Sequence, residues 1–185
     1  MFRSLATSSA VLAVALSLFA RAAGDEPSAP APAALVVARE GAERVELSLD
    51  ALRKLPPETA VLGSHGETHE FAGARLDAVL RAAGVDFDAA GRRARVSTVV
   101  LAVARDGYEA AFSATELAGA AAPSRVLVAW SRDGAPLEAA RGPFRLVVPS
   151  DPDAARGVYA LERLEVIDLS QRAKTVVSPV QPKKE

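Results

Sequence analysis

The sequence predicts an α+β domain: layered mixed or antiparallel β-sheets with a few short helices. Three observations carry this. Most apolar segments run strand to strand across turns rich in glycine, aspartate and proline. Only residues 74–83 show the full stripe of an amphipathic helix. The remaining helical segments are too few and too short for the strand–helix alternation of a doubly wound sheet.

The elements follow in chain order. Residues 35–37 and 44–47 read as a hairpin about Glu40-Gly41. Ser48 then stands as N-cap to Leu49-Asp50-Ala51-Leu52, with an acid in the first turn, and Pro56-Pro57 stops that helix. Residues 59–62 and 68–71 form a second hairpin around Ser64-His65-Gly66. In the helix at 74–83, Leu76, Val79, Leu80 and Ala83 lie on one face, and Gly84 follows as a C-cap. Residues 96–104 are apolar and β-branched throughout, which predicts a central strand covered on both faces. Asp106-Gly107 turns it, and Tyr108, Ala110 and Phe112 alternate on the return. Ser113 and Glu116 form a capping box for a short helix. Residues 126–131 make a strand turned at Arg132-Asp133-Gly134. Gly142-Pro143 is a turn before the strand 144–148, which Pro149 ends; strands at 158–161 and 164–169 close the domain.

At the N-terminus, Arg3 precedes the apolar run at residues 10–20, and Ala20-Arg21-Ala22 supplies small residues at the cleavage pattern. This is the layout of a secretory signal peptide over residues 1–22, with an uncleaved anchor as its rival. The run is shorter than the roughly 20 apolar residues that span a bilayer. Residues 23–34, rich in proline and alanine, read as a spacer, the folded part as 35–169, and residues 170–185 as a loose tail. The net charge of −1 becomes slightly more acidic without Arg3 and Arg21, so nothing draws the chain to nucleic acid or, past its signal, to anionic membrane. The chain has no cysteine. Disulfides, thiolate nucleophiles, zinc–cysteine sites and a lipid-bearing cysteine are therefore excluded.

Several segments, in order, carry a resemblance. These are Phe71-Ala72-Gly73-Ala74-Arg75-Leu76 with Val79-Leu80 and Ala83-Gly84-Val85; Asp106-Gly107-Tyr108; Leu127-Val128-Ala129-Trp130 with Asp133-Gly134-Ala135-Pro136-Leu137; and Gly142-Pro143-Phe144-Arg145-Leu146-Val147-Val148-Pro149. Together with Leu164-Glu165-Val166 they resemble the molybdopterin-binding domain of the sulfite oxidase family. The resemblance implies that fold, and molybdopterin as the cofactor of its working members. In those members a cysteine thiolate between the first helix and the aromatic-x-glycine segment ligates molybdenum. The corresponding stretch here, residues 58–69, has no thiol, and Arg141 stands where catalytic relatives often have histidine. The resemblance thus implies the fold without the family's chemistry.

Arg145 lies inside an apolar strand, so it must be paired or reach a cleft; Asp106 and Asp133 are the available acids. The resemblance places this arginine near the cofactor end of the domain. Arg105, Arg132 and Arg141 fall at neighbouring turns and either recognise a phosphate-like anion together or are solvated turn charges. Tyr108 and Trp130 each combine an apolar body with a polar tip, suited to core packing or to stacking on a ligand. His65, Glu67 and His69 share a face if the strand is extended and could offer a metal two nitrogens and a carboxylate; a surface hairpin is the plainer reading.

Three functions remain open. One is a non-catalytic exported module that binds a pterin-like or other small anionic ligand, or partners an exported redox protein. A second is a molybdopterin oxidoreductase with another metal ligand, such as Ser64. The third is a structural or interaction module without cofactor.

Overall fold

A computed structural model of the chain describes residues 34–64, 66–119, 125–151 and 154–170. The signal, all of the spacer but Ala34, the tail beyond Ser170, His65 and the side chain of Ser64 lie outside the described residues. Every described residue belongs to one unit, Pro32–Glu185.

Two sheets carry the fold. The first has the order β2-β1-β10-β5-β6, built from β1 (Ala34–Arg39), β2 (Val45–Ser48), β5 (Thr98–Ala104), β6 (Glu109–Ser113) and β10 (Leu161–Asp168). All its pairs are antiparallel except β1 with β10, which run parallel from Val36↔Arg163 to Arg39↔Val166. The second has the order β3-β4-β7-β8, from β3 (Pro57–Ser64), β4 (Glu67–Arg75), β7 (Leu127–Arg132) and β8 (Ala135–Pro136), with β9 (Arg145–Val147) also pairing β7. The mixed-sheet α+β architecture is therefore the one the sequence predicts.

The helices are short and locally encoded. In α1 (Leu49–Arg53) the Ser48 side chain accepts from the Ala51 N–H at 3.2 Å. In α2 (Leu76–Ala82) Leu76, Val79 and Leu80 are buried. The capping box of α4 (Ala114–Leu117) is complete, with the Ser113 N–H donating to Glu116 at 2.9 Å.

The fourth helix, α3 (Arg92–Ser97), corrects the strand expected from residue 96: Val96 is helical and 67% exposed, and β5 begins at Thr98. The Ser97 and Thr98 hydroxyls donate back to carbonyls at Arg93 and Ala94, so β-branching gives way to the helical turn. β5 is central, between β10 and β6, yet unevenly covered: Val100, Ala102 and Ala104 are buried on one face, whereas on the other Val103 is buried and Val99 and Leu101 stay partly exposed. The expected strand at 158–161 is also different. Val158 makes a single bridge to Leu146, and Ala160 takes a φ of +44°, which breaks the chain before β10.

The main core lies between the sheets and helices and includes Leu35, Leu80, Phe112, Val128, Leu146 and Leu164. Because strand side chains alternate, the opposite face of the second sheet carries its own small cluster: Leu62, Phe71, Leu127, Ala129 and Val147. Arg145, two residues before Val147, emerges on that same face. Among the described residues no helix is long and apolar enough to cross a membrane.

A polar clamp closes the core's edge near α4. Arg156 donates to Asp151 at 2.7 and 2.8 Å and to Glu116 at 3.2 Å, with its guanidinium 4.9 Å from the Phe112 ring centre. The Arg156 hydrogen bonds hold the Asp151 carboxyl below the ordinary aspartate range. A depressed carboxylate contributes stability that is present above its unfolded pKa and lost as pH falls through its folded one. Asp151→Asn is expected to lower Tm by a few degrees at neutral pH and to flatten the acid limb between roughly pH 5 and pH 2. Thermal melts across that range check it; parallel acid limbs in the two proteins would refute the assignment.

Candidate functional site

The site lies on the outer face of the second sheet. A cavity of about 320 Å³ is lined by Leu62, Glu67, His69, Phe71, Arg132, Arg141, Arg145 and Tyr159. A smaller one of about 160 Å³ shares Arg132, Arg141, Arg145 and Tyr159 and adds residues 135–138. Together they form one cleft with four common walls. A third cavity, of about 390 Å³, mixes Arg39 and Arg95 with Glu40, Asp86 and Asp168; among the described residues the one buried side-chain nitrogen without a partner belongs to Arg145, in the first cleft.

Arg145 is the centre of the cleft. It is 7% exposed, and its guanidinium carbon sits 4.6 Å from the Phe71 ring centre and 4.0 Å from that of Tyr159. This is a cation held by aromatic faces. Its Nε is buried without a hydrogen-bond partner. The expected ion pair with Asp106 or Asp133 is not formed: Asp106 accepts from the Tyr108 N–H at 3.0 Å, and Asp133 is taken by His69 and the Glu70 N–H. Burial lowers the pKa of Arg145, with Arg132 and Arg141 adding to the effect and Tyr159 opposing it. The group nonetheless stays cationic across physiological pH.

The surrounding residues set the sign of the cleft. Arg141 lies 5.3 Å from the Tyr159 ring centre. Arg132 is only loosely neutralised, 3.8 Å from Asp133 and 3.6 Å from Glu138. The turn between β7 and β8 has just Asp133 and Gly134, at φ +52° and +78°, the two-positive geometry of a tight hairpin. That turn brings the Asp133 carboxylate to β4, where it accepts from His69 Nδ1 at 2.7 Å and from the Glu70 N–H at 2.9 Å.

Of the sequence candidates, Arg132, Arg141, Arg145 and His69 meet here. Arg105 does not line the cleft; it donates to the Gly142 carbonyl at 2.8 Å. Tyr108 reaches the Ala155 carbonyl with its hydroxyl, away from the cleft. Trp130 points to the other face of β7 and packs on the main core. His65 lies outside the described residues. Among those described, no three His, Cys, Asp or Glu side chains converge as a metal requires. Sequence reasoning missed Tyr159 and the clamp role of Phe71. The one available signal was Arg145 itself, since a lone arginine in an apolar strand needs aromatic or anionic company.

Chemically, three guanidiniums around an aromatic ring can grip an oxyanion through paired N–H donors. Among the described residues no aliphatic hydroxyl lines the cleft, and the chain has no thiol. Fold and site define an α+β domain with an arginine-walled cleft. Residues 25–175 match the sequence model of the oxidoreductase molybdopterin binding domain, and the chain belongs to that family. The structure is also similar to the sulfane dehydrogenase SoxCD from Paracoccus pantotrophus, with a TM-score of 0.56 and 17% identity over 73% of this chain. At that identity the likeness shows the fold alone, and the match spans 38% of the SoxCD chain. No match is found among curated proteins.

Proposed function

We propose that this protein is an exported, non-catalytic member of its family whose cleft binds a small oxyanion-bearing ligand of the molybdopterin type. One observation carries the reading: Arg145 is buried with an unpartnered Nε, in ion-pair contact with none of the described acids, beside Arg132 and Arg141. A buried cation without a counter-ion is costly, and an anionic ligand offsets that cost. The residues fit part of the family cofactor. Arg132, Arg141 and Arg145 would hold its phosphate, and Tyr159 would face its ring system. They do not fit the metal centre, because the chain supplies no thiolate. Export rests on the apolar run at residues 10–20 and the small residues that follow. An exported redox protein is the partner class this reading implies.

The test is direct. The protein is purified from a molybdopterin-making host, and metal content and pterin fluorescence are measured. Bound pterin or another anion with little metal is the expected result. Stoichiometric molybdenum would instead favour an oxidoreductase with a non-cysteine ligand such as Ser64. An empty protein that also fails to bind sulfate or phosphate would leave a module without cofactor.

A further inference from the structure

We propose that His69 is a ligand contact of the cleft: protonated on Nε2, it donates to the oxyanion that the arginines hold, so that binding takes up a proton. This rests on the reading of the cleft as an oxyanion site.

The tautomer is set by geometry. Asp133 is a carboxylate, anchored by the Glu70 N–H at 2.9 Å, and it can only accept from His69 Nδ1 at 2.7 Å. Backbone donation from Glu70, and then His69 itself, holds the Asp133 carboxyl below the ordinary range, so it is ionised wherever histidine titrates. Nδ1 therefore carries the hydrogen of the neutral ring, and any second proton must land on Nε2. That atom is 3.5 Å from Oε2 of Glu67, and both residues line the cavity.

Glu67 on β4 and Asp133 on the β7–β8 turn are the acids beside the imidazole. Arg132 on β7, Arg145 on β9, and Arg141 are the cations of the same cleft, while β3 contributes the apolar Leu62 and the 159 segment the phenol of Tyr159. A bound dianion offsets those cations and so favours a proton on Nε2. By linkage, whatever favours the proton in the complex makes the complex tighter at low pH.

Sulfate is the probe, because its own charge is constant through the histidine range. Calorimetric titrations at about pH 5.5 and about pH 8 are expected to show binding roughly tenfold tighter at the lower value. Repeating the titration at an intermediate pH in buffers of different ionisation enthalpy should report net proton uptake of up to about half a proton, the most that a tenfold change in affinity allows. His69→Gln, verified as folded by its melting curve, is expected to lose the low-pH tightening. Glu67→Gln removes the competing carboxylate and is expected to keep the pH dependence while binding sulfate more tightly. A wild-type affinity that is flat with pH, or a His69→Gln protein that keeps the full slope, overturns the proposal alone. Failure to bind sulfate at any pH overturns the oxyanion reading, and the proposal with it.

Discussion

Arg145→Met is expected to weaken oxyanion binding by about tenfold to a hundredfold while leaving thermal stability unchanged or higher. The two halves of this result have one cause. Arg145 is 7% exposed, has an Nε without a partner, and is repelled by two neighbouring arginines. In the free protein it is therefore a burden on the fold. Methionine keeps an unbranched apolar stem between Phe71 and Tyr159 and removes the buried charge. Parallel calorimetry with sulfate and melting curves check it. A variant that melts far lower but binds as before would show that the arginine serves packing and not a ligand.

Gly73→Ala is expected to be among the most damaging single substitutions in the chain, costing about 3 kcal/mol or more and about 10 °C in Tm. A Cβ there would meet the Val128 carbonyl oxygen at 2.2 Å and the Ala129 Cα at 2.7 Å, both backbone atoms that cannot rotate away. The position also follows the register shift between Ala72 and Gly73, where β7 bulges at Trp130 against β4. Relieving the contact would have to part the two strands. That would disturb the adjoining Phe71↔Arg132 pair, and with it two walls of the cleft. Denaturant unfolding gives the energy, and sulfate binding by the folded fraction reports the cleft. A change below about 1 kcal/mol would mean that the strands separate at little cost.

What could be read from the chain was local. Alternation over Tyr108, Ala110 and Phe112 marks the β6 segment, the stripe of Leu76, Val79 and Leu80 marks α2, and Asp133-Gly134 marks a hairpin turn, because each pattern is set by nearest-neighbour geometry. Arg145 stood out as a charge in an apolar strand. What escaped depends on distant partners. Asp133 meets His69 across 64 residues, and no periodicity announces that pairing. Tyr159 reaches Arg145 because Ala160 takes a left-handed conformation that alanine composition does not signal. Val96 is helical although its β-branching suggests a strand, because hydroxyl bonds from Ser97 and Thr98 close a helical turn.

The parallel pairing of β1 with β10 bears on how the chain is made. β10 is the last synthesised of the described strands, yet it lies between β1 and β5, with partners on both flanks. Until residue 168 has left the ribosome, the first sheet exists only as two separate ribbons, each with an open edge. Closure of the first sheet thus waits on β10, and a chain cut before Leu161 is expected to leave both ribbons unpaired at that seam.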